Sequence, residues 1–297
     1  MGRQVLLYAA VLAAGITGIA TAQETDQNPP VTAPAPDARD KIFYPGDTES
    51  FKPLASKLFH NVLMDQKDIW TSPFHMNRSN AKWWILFGAA AVALIETDRH
   101  TINAFENSPG QIRWAQHISN IGAGYTLGPI AASFYIYGVL RDDTKAREVG
   151  VLSGEALLDS LIVVEVLKTA AGRERPNSTQ EPSHFFDGGD GFPSGHSIES
   201  WALASVIAHE FGRRSKWVPV IAYSLASLVS CARFAAQAHY ASDIVVGAGM
   251  GWFIGRFVYQ THMDHSIHKY GWLKPEIMPQ FDPVTHSYGA AVVFGGK

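Results

Sequence analysis

From Ala81 onward the chain alternates long apolar segments with short polar breaks. The segments run Trp83–Glu96, Gln111–Leu140, Ala146–Ala171, Ile198–Phe211, Trp217–Arg233 and Ala241–Gln260. Their length and the absence of period-2 alternation predict helices rather than strands. Breaks such as "NSPG" (Asn107–Gly110) and "RDDTK" (Arg141–Lys145) suit helix–helix connections. The expected fold is all-α, a bundle of about six core helices over residues 81–261. Residues 46–80 contain an amphipathic helix candidate, "FKPLASKLFHNVLMDQ", expected to wrap the bundle. The tail, 262–297, is polar and punctuated by proline, and "HSYGAAVVFGG" is expected to form a short strand. No internal repeat stands out.

The chain's first residues carry a different pattern. Arg3 precedes an uncharged run, Val5–Ala20, and "ATA" at 20–22 has the small-x-small form of a cleavage site. Residues 1–22 are therefore expected to be an export signal. A proline-rich polar stretch, 23–45, reads as an extended linker.

Composition leaves two settings open. Hydrophobic residues make up 46% and charged residues 17%, the latter below the ~25% of an ordinary soluble domain. A span needs about 20 apolar residues, and Ile118–Leu140 meets that, whereas 151–167 carries Glu155, Asp159 and Glu165. If an exported N-terminus were followed by six crossings, "GRRSK" (Gly212–Lys216) would fall outside, against the positive-inside tendency. The expected location is therefore periplasmic, soluble or membrane-associated, with an integral inner-membrane bundle as the alternative. A net charge of −3 gives no footprint for a nucleic-acid partner. The single cysteine, Cys231, excludes an intramolecular disulfide and is expected to be a buried small residue.

Three clusters carry candidate chemistry. In "KTAAGRERP", Lys168 and Arg175 stand seven residues apart, nearly two helical turns, with Gly172 and Pro176 marking a helix end. A basic helix C-terminus complementing the macrodipole explains this cluster when it is taken alone. "GFPSGHSIES" places Ser194, Gly195 and His196 at a helix start. Capping by Ser194 or Ser197 accounts for the hydroxyls, but a helix start also binds anions. The glycine-rich run before it, Asp187–Gly191, is expected to be a flexible loop over the site. In "ARFAAQAHYASD", His239 and Asp243 are four apart, so an Asp accepting the Nδ1 proton leaves Nε2 free as a nucleophile. Arg233 reaches the same ligand only if the chain turns between it and His239. Outside these clusters, His262, His265 and His268 stand at i, i+3, i+6. Such spacing could bind a metal, but a solvated helix end is the plainer account, because no further ligand is evident nearby.

The order K-x6-R-P, P-S-G-H, R-x5-H-x3-D resembles the signature of the type 2 phosphatidic acid phosphatase and vanadium haloperoxidase superfamily, which includes bacterial acid phosphatases. Lys168, Arg175, Pro176, Pro193, Ser194, Gly195, His196, Arg233, His239 and Asp243 match it. Ala232 departs from it, since a serine usually precedes that arginine.

The resemblance implies a mechanism. His239, oriented by Asp243, attacks phosphorus, and His196 protonates the leaving alcohol and later activates water. Lys168, Arg175, Ser194, Gly195 and Arg233 hold the phosphoryl oxygens. It implies no cofactor and no catalytic metal. The expected partner is a phosphorylated small molecule or a lipid phosphate, with membrane association open and no nucleic acid. Two alternatives stand beside this phosphatase: a haloperoxidase holding vanadate in the same pocket, and a non-catalytic helical scaffold.

Overall fold

A computed structural model of the protein describes residues 51–75, 77–102, 108–177, 184–263, 275–282 and 287–294. The expected signal (1–22) and linker (23–45) lie outside these residues, as does the start of the 46–80 segment. The helices are α1 (Phe51–Thr71), α2 (Arg78–Thr101), α3 (Pro109–Ser119), α4 (Gly124–Arg141), α5 (Thr144–Ala171), α6 (Gly195–Phe211), α7 (Trp217–Ala235) and α8 (Ala241–His262).

Asp37–Asp264 forms one compact unit. Its centre is the packing of α5, α6 and α8 through Leu152, Val163 and Val164, Ile198 and Val206, and Ile254 and Val258. These side chains are 4% exposed or less, so each contributes close to its full burial free energy. Small residues set how closely α6 and α8 approach. Gly247, Gly251 and Gly255 recur every fourth residue along one stripe of α8. A Cβ at 247 would stand 2.8 Å from the Ser194 carbonyl oxygen, and Cβ atoms at 251 and 255 would overlap the carbonyls of Ile198 and Ala202. That stripe lays the α8 backbone directly on α6 and holds the start of one helix beside the start of the other.

The expected helix over Gln111–Leu140 is two helices. A short 3₁₀ turn, Asn120–Gly122, and an extended Ala123 separate α3 from α4. Gly122 is required there because any side chain would collide with Val229 of α7. This break also removes Ile118–Leu140 as a continuous span. Among the described residues, α7 is the helix long and apolar enough to cross a membrane by length and composition. Its outward residues Trp217, Val220, Ile221, Leu225 and Leu228 are exposed, as are Trp83, Ile85 and Leu86 on α2 and Ile136, Val139 and Leu140 on α4. Cys231, expected to be buried, is exposed on α7. Its apolar surroundings in the sequence belong to an outward face, not to the core.

The helix ends follow local chemistry. Asp143 caps α5 by accepting from the Ala146 N–H at 3.1 Å. Ser108 caps α3 by accepting from the Gln111 N–H. Gly172 ends α5 in the left-handed region (φ 52°), with its N–H on the Lys168 carbonyl.

The C-terminal residues form a separate antiparallel hairpin, β1 (Pro275–Asp282) with β2 (Ser287–Phe294), in register from Pro275 opposite Phe294 to Asp282 opposite Ser287. The expected strand is β2; β1 was not expected because it contains two prolines. Pro275 and Pro279 have the same parity, so both can occupy positions whose missing N–H faces away from the partner strand.

Candidate active site

Helix α5 delivers Lys168 in its last turn and then stops, so Arg175 lies beyond the helix and does not share a helical face with Lys168. Lys168 Nζ is 3.0 Å from Glu165 Oε1 and 3.7 Å from where a Cβ at Gly195 would stand. That places the ammonium at the start of α6. Arg175 makes a two-point contact with Asp190, from Nε to Oδ1 at 2.7 Å and from Nη2 to Oδ2 at 2.6 Å. The hydrogen bond from Arg175 holds the Asp190 carboxyl below the usual carboxylate range.

The run Asp187–Gly191 is not the flexible loop expected. The N–H groups of Asp187 and Gly189 donate to the Gly172 carbonyl, and that of Gly191 donates to the Arg173 carbonyl. A side chain at 189 or 191 would strike the backbone of residues 173–174. The glycines are there to bring two backbone segments together.

At the start of α6, Ser194 occupies the N-cap position with extended backbone, but its hydroxyl does not cap the helix. Ser194 Oγ is fully buried and has no hydrogen-bond partner among the described residues. It lies beside the unpaired N–H groups that every helix start presents. Such a buried, unpaired donor is costly unless a ligand takes its hydrogen bond. Glu199 falls in the second turn, because the helix begins at Gly195. His196 is partly buried. Desolvation, and then the positive charges of Arg233, His239, Lys168 and Arg175, push its pKa down to about 3.

The third cluster departs from the expected geometry. Helix α7 ends at Ala235, and the chain turns through Gln237, whose φ is 55° and whose Nε2 donates to the Ile102 carbonyl. The turn carries His239 back towards Arg233, and the Ala238 N–H donates to the Arg233 carbonyl. His239 therefore precedes α8 and does not share a helical face with Asp243. Its Nδ1 is 2.7 Å from the Gly191 carbonyl but 3.7 Å from Asp243 Oδ2, too long for a hydrogen bond. A carbonyl only accepts, so Nδ1 carries the proton and the neutral ring keeps its lone pair on Nε2. Burial lowers the His239 pKa, which favours that neutral ring. Arg233 Nη1 is 3.5 Å from Ser119 Oγ, and its buried Nε has no hydrogen-bond partner among the described residues. Ala232, at the departure from the superfamily pattern, is buried.

Asp243 has other work. Its Oδ2 accepts the Tyr240 N–H at 2.8 Å, capping α8, and its Oδ1 accepts Arg173 Nη1 at 2.5 Å. Sequence reasoning missed Arg173 and Asp98. Arg173 is 2% exposed and lies against the rings of Phe185 and Tyr240. It donates to Asp243, to Ser242 Oγ and, at 2.8 Å, to Asp98 Oδ2. Asp98 in turn accepts the Ser242 N–H at 3.0 Å and the Ser242 hydroxyl. One buried guanidinium thus ties α2, the segment after α5 and the start of α8 into one frame.

The fold is a helical bundle in which His239, Lys168, Arg175 and Arg233 lie within electrostatic reach of His196 at a helix start. Residues 150–267 match the family model described as PAP2 superfamily. The chain is similar to a lipid A 1-phosphatase from Porphyromonas gingivalis, 34% identical over 106 residues, which cover 36% of this chain and 22% of that protein. It thus spans about a fifth of that relative's length. Among solved structures it is similar to a transmembrane PAP2-type phosphatidylglycerolphosphate phosphatase from Bacillus subtilis, with TM-score 0.48 and 21% identity over 73% of this chain and 98% of that one. It is also similar to LpxE from Aquifex aeolicus, with TM-score 0.43 and 24% identity over 56% of this chain and 93% of that one.

Proposed function

We propose that the protein is a phosphatase acting on phosphate esters of lipids through a phosphohistidine on His239. The observation that carries this reading is the tautomer of His239. With Nδ1 donating to Gly191, the Nε2 lone pair is available in a pocket whose other polar groups suit an anion. In the first step Nε2 forms a bond to phosphorus while the bond to the leaving oxygen breaks, and His196 gives that oxygen its proton. In the second, His196 takes a proton from water, the hydroxide attacks phosphorus, and the electron pair returns to Nε2. Lys168, Arg175, Arg233, the Ser194 hydroxyl and the Gly195 N–H stabilise the charge on the transferring phosphoryl oxygens. These cations supply positive charge that a metal would otherwise provide, so the proposed mechanism requires no metal.

A lipid substrate is supported by the outward apolar faces of α2, α4 and α7, which suit contact with a bilayer. The relative from P. gingivalis is described as acting on lipid A. The test is phosphate release by the purified protein from phosphatidic acid, a diphosphate lipid and para-nitrophenyl phosphate side by side. Turnover of the lipids over the soluble ester supports the reading. Release only from the soluble ester contradicts the lipid substrate, and bromide oxidation with vanadate and peroxide in place of phosphate release contradicts the phosphatase.

A further inference from the structure

His262, expected at a solvated helix end, is buried (4% exposed) at the last residue of α8. Its Nε2 faces three carboxylate oxygens: Asp65 Oδ1 at 3.0 Å, Asp65 Oδ2 at 2.9 Å and Glu155 Oε1 at 3.0 Å. Asp65 and Glu155 are 0% and 1% exposed. A ring nitrogen has one proton at most, so it cannot satisfy three acceptors. A further carboxylate adds to the excess. Asp159, one turn after Glu155 on α5 and fully buried, gives Oδ1 to Gln66 Nε2 at 2.8 Å, while its Oδ2 has no hydrogen-bond partner among the described residues. On α1, one turn before Asp65, the fully buried Asn61 has neither its Oδ1 nor its Nδ2 in a hydrogen bond among the described residues. Three carboxylates and one imidazole brought together out of water hold either protons or a cation among them.

We propose that Asp65, Glu155 and His262 bind a divalent first-row transition cation, such as Zn²⁺ or Mn²⁺, that clamps α1 to α5 and α8. The ligand atoms of the three residues all lie within 4.8 Å of one another. Separations of 2.9–3.0 Å between Nε2 and the facing oxygens match the edge of a six-coordinate shell about 2.1 Å in radius, roughly 3.0 Å, whereas a tetrahedral shell would have edges of roughly 3.4 Å. An imidazole with carboxylates favours a transition cation over Mg²⁺ or Ca²⁺, which prefer oxygen alone. Asp159 and Asn61 stand as further oxygen donors. The site is structural. His262 and Asp243 are 19 residues apart on α8, so about 28 Å of helix separates the clamp from the candidate active site.

The test uses the intact purified protein, prepared without chelator. Elemental analysis by mass spectrometry is expected to find close to one transition cation per chain, and Glu155→Gln and His262→Gln are expected to lose it. As a second reading, protein stripped with a chelator should melt lower and recover its melting temperature on adding Zn²⁺ or Mn²⁺, a recovery the Glu155→Gln variant lacks. Wild-type protein that carries no cation, and whose melting temperature responds to neither chelator nor any first-row divalent cation, would overturn the proposal. Protons shared among the carboxylates would then account for the cluster.

Discussion

The Nδ1 proton of His239 goes to the carbonyl of Gly191, 2.7 Å away. The carboxylate four residues later, Asp243, spends its hydrogen bonds on Arg173 and on the Tyr240 N–H. Ring orientation and frame rigidity are thus divided between two groups, and this division has consequences for variants.

Asp243→Asn removes one charge from the buried pair with Arg173, whose partners are 3% exposed or less. Breaking such a pair costs about 3–5 kcal/mol. We expect a large fall in melting temperature, with part of the phosphatase activity kept per folded molecule. His239→Ala should lose phosphate release altogether and, because it leaves the Arg173–Asp98–Asp243 frame intact, melt higher than Asp243→Asn. Thermal denaturation alongside turnover checks both. An Asp243→Asn protein that is as stable as wild type and fully inactive contradicts this division.

The pH dependence of anion binding follows from His196. Burial and the surrounding cations hold its pKa near 3 in the free site. An anion bound among Lys168, Arg175 and Arg233 offsets those charges, so the pKa rises on binding and a proton is taken up. Affinity for vanadate should therefore increase as pH falls towards the pKa of the bound form. Titration calorimetry in buffers of different ionisation enthalpy measures the uptake. Wild type should take up more protons than His196→Ala under the same conditions; equal uptake contradicts the placement of His196 beside the anion.

Asp190 competes with the ligand for Arg175. The pair is partly exposed, so its own stability is small. Asp190→Asn should leave the melting temperature unchanged and tighten competitive inhibition by phosphate several-fold, because Arg175 is released. Weaker inhibition would place Asp190 among the groups that position the ligand.

The glycine stripe of α8 admits no side chain. Gly251→Ala places a methyl group against the Ile198 carbonyl, a backbone atom that cannot turn away. Overpacking of this kind costs about 1–3 kcal/mol. The expected result is lower stability together with reduced turnover, since Ile198 lies in the first turn of the helix that presents Ser194 and Gly195. Gly154→Ala is the control, because a Cβ there meets nothing within 4 Å.

Much of this was legible in the sequence. The helices α5 to α8 follow the apolar segments because long runs bounded by Gly172, "GRRSK" and "HYAS" leave little choice of ends. The three motif clusters named the residues that meet at the start of α6. The break between α3 and α4 has a local signal in the two glycines of "SNIGAG", which weaken a helix, and the packing of Gly122 on Val229 adds to it. The i, i+4 spacing of His239 and Asp243 suggested a shared helical face, but α8 starts between them. Arg173 and Asp98 gave no local signal, because their roles depend on contacts 70 and 75 residues away. His262 looked like part of a solvated histidine run because its partners, Asp65 and Glu155, lie on other helices. The stripe Gly247–Gly251–Gly255 is visible in the sequence and signals close helix approach.

The central claim is covalent transfer of the phosphoryl group to His239. Rapid acid-free quenching of wild-type protein mixed with a ³²P-labelled lipid phosphate tests it directly. The account predicts a labelled protein whose label is stable to alkali and lost in acid, as a phosphohistidine is, and no label on His239→Ala. Steady phosphate release by wild type without any labelled intermediate, matched by release from His239→Ala, would contradict it.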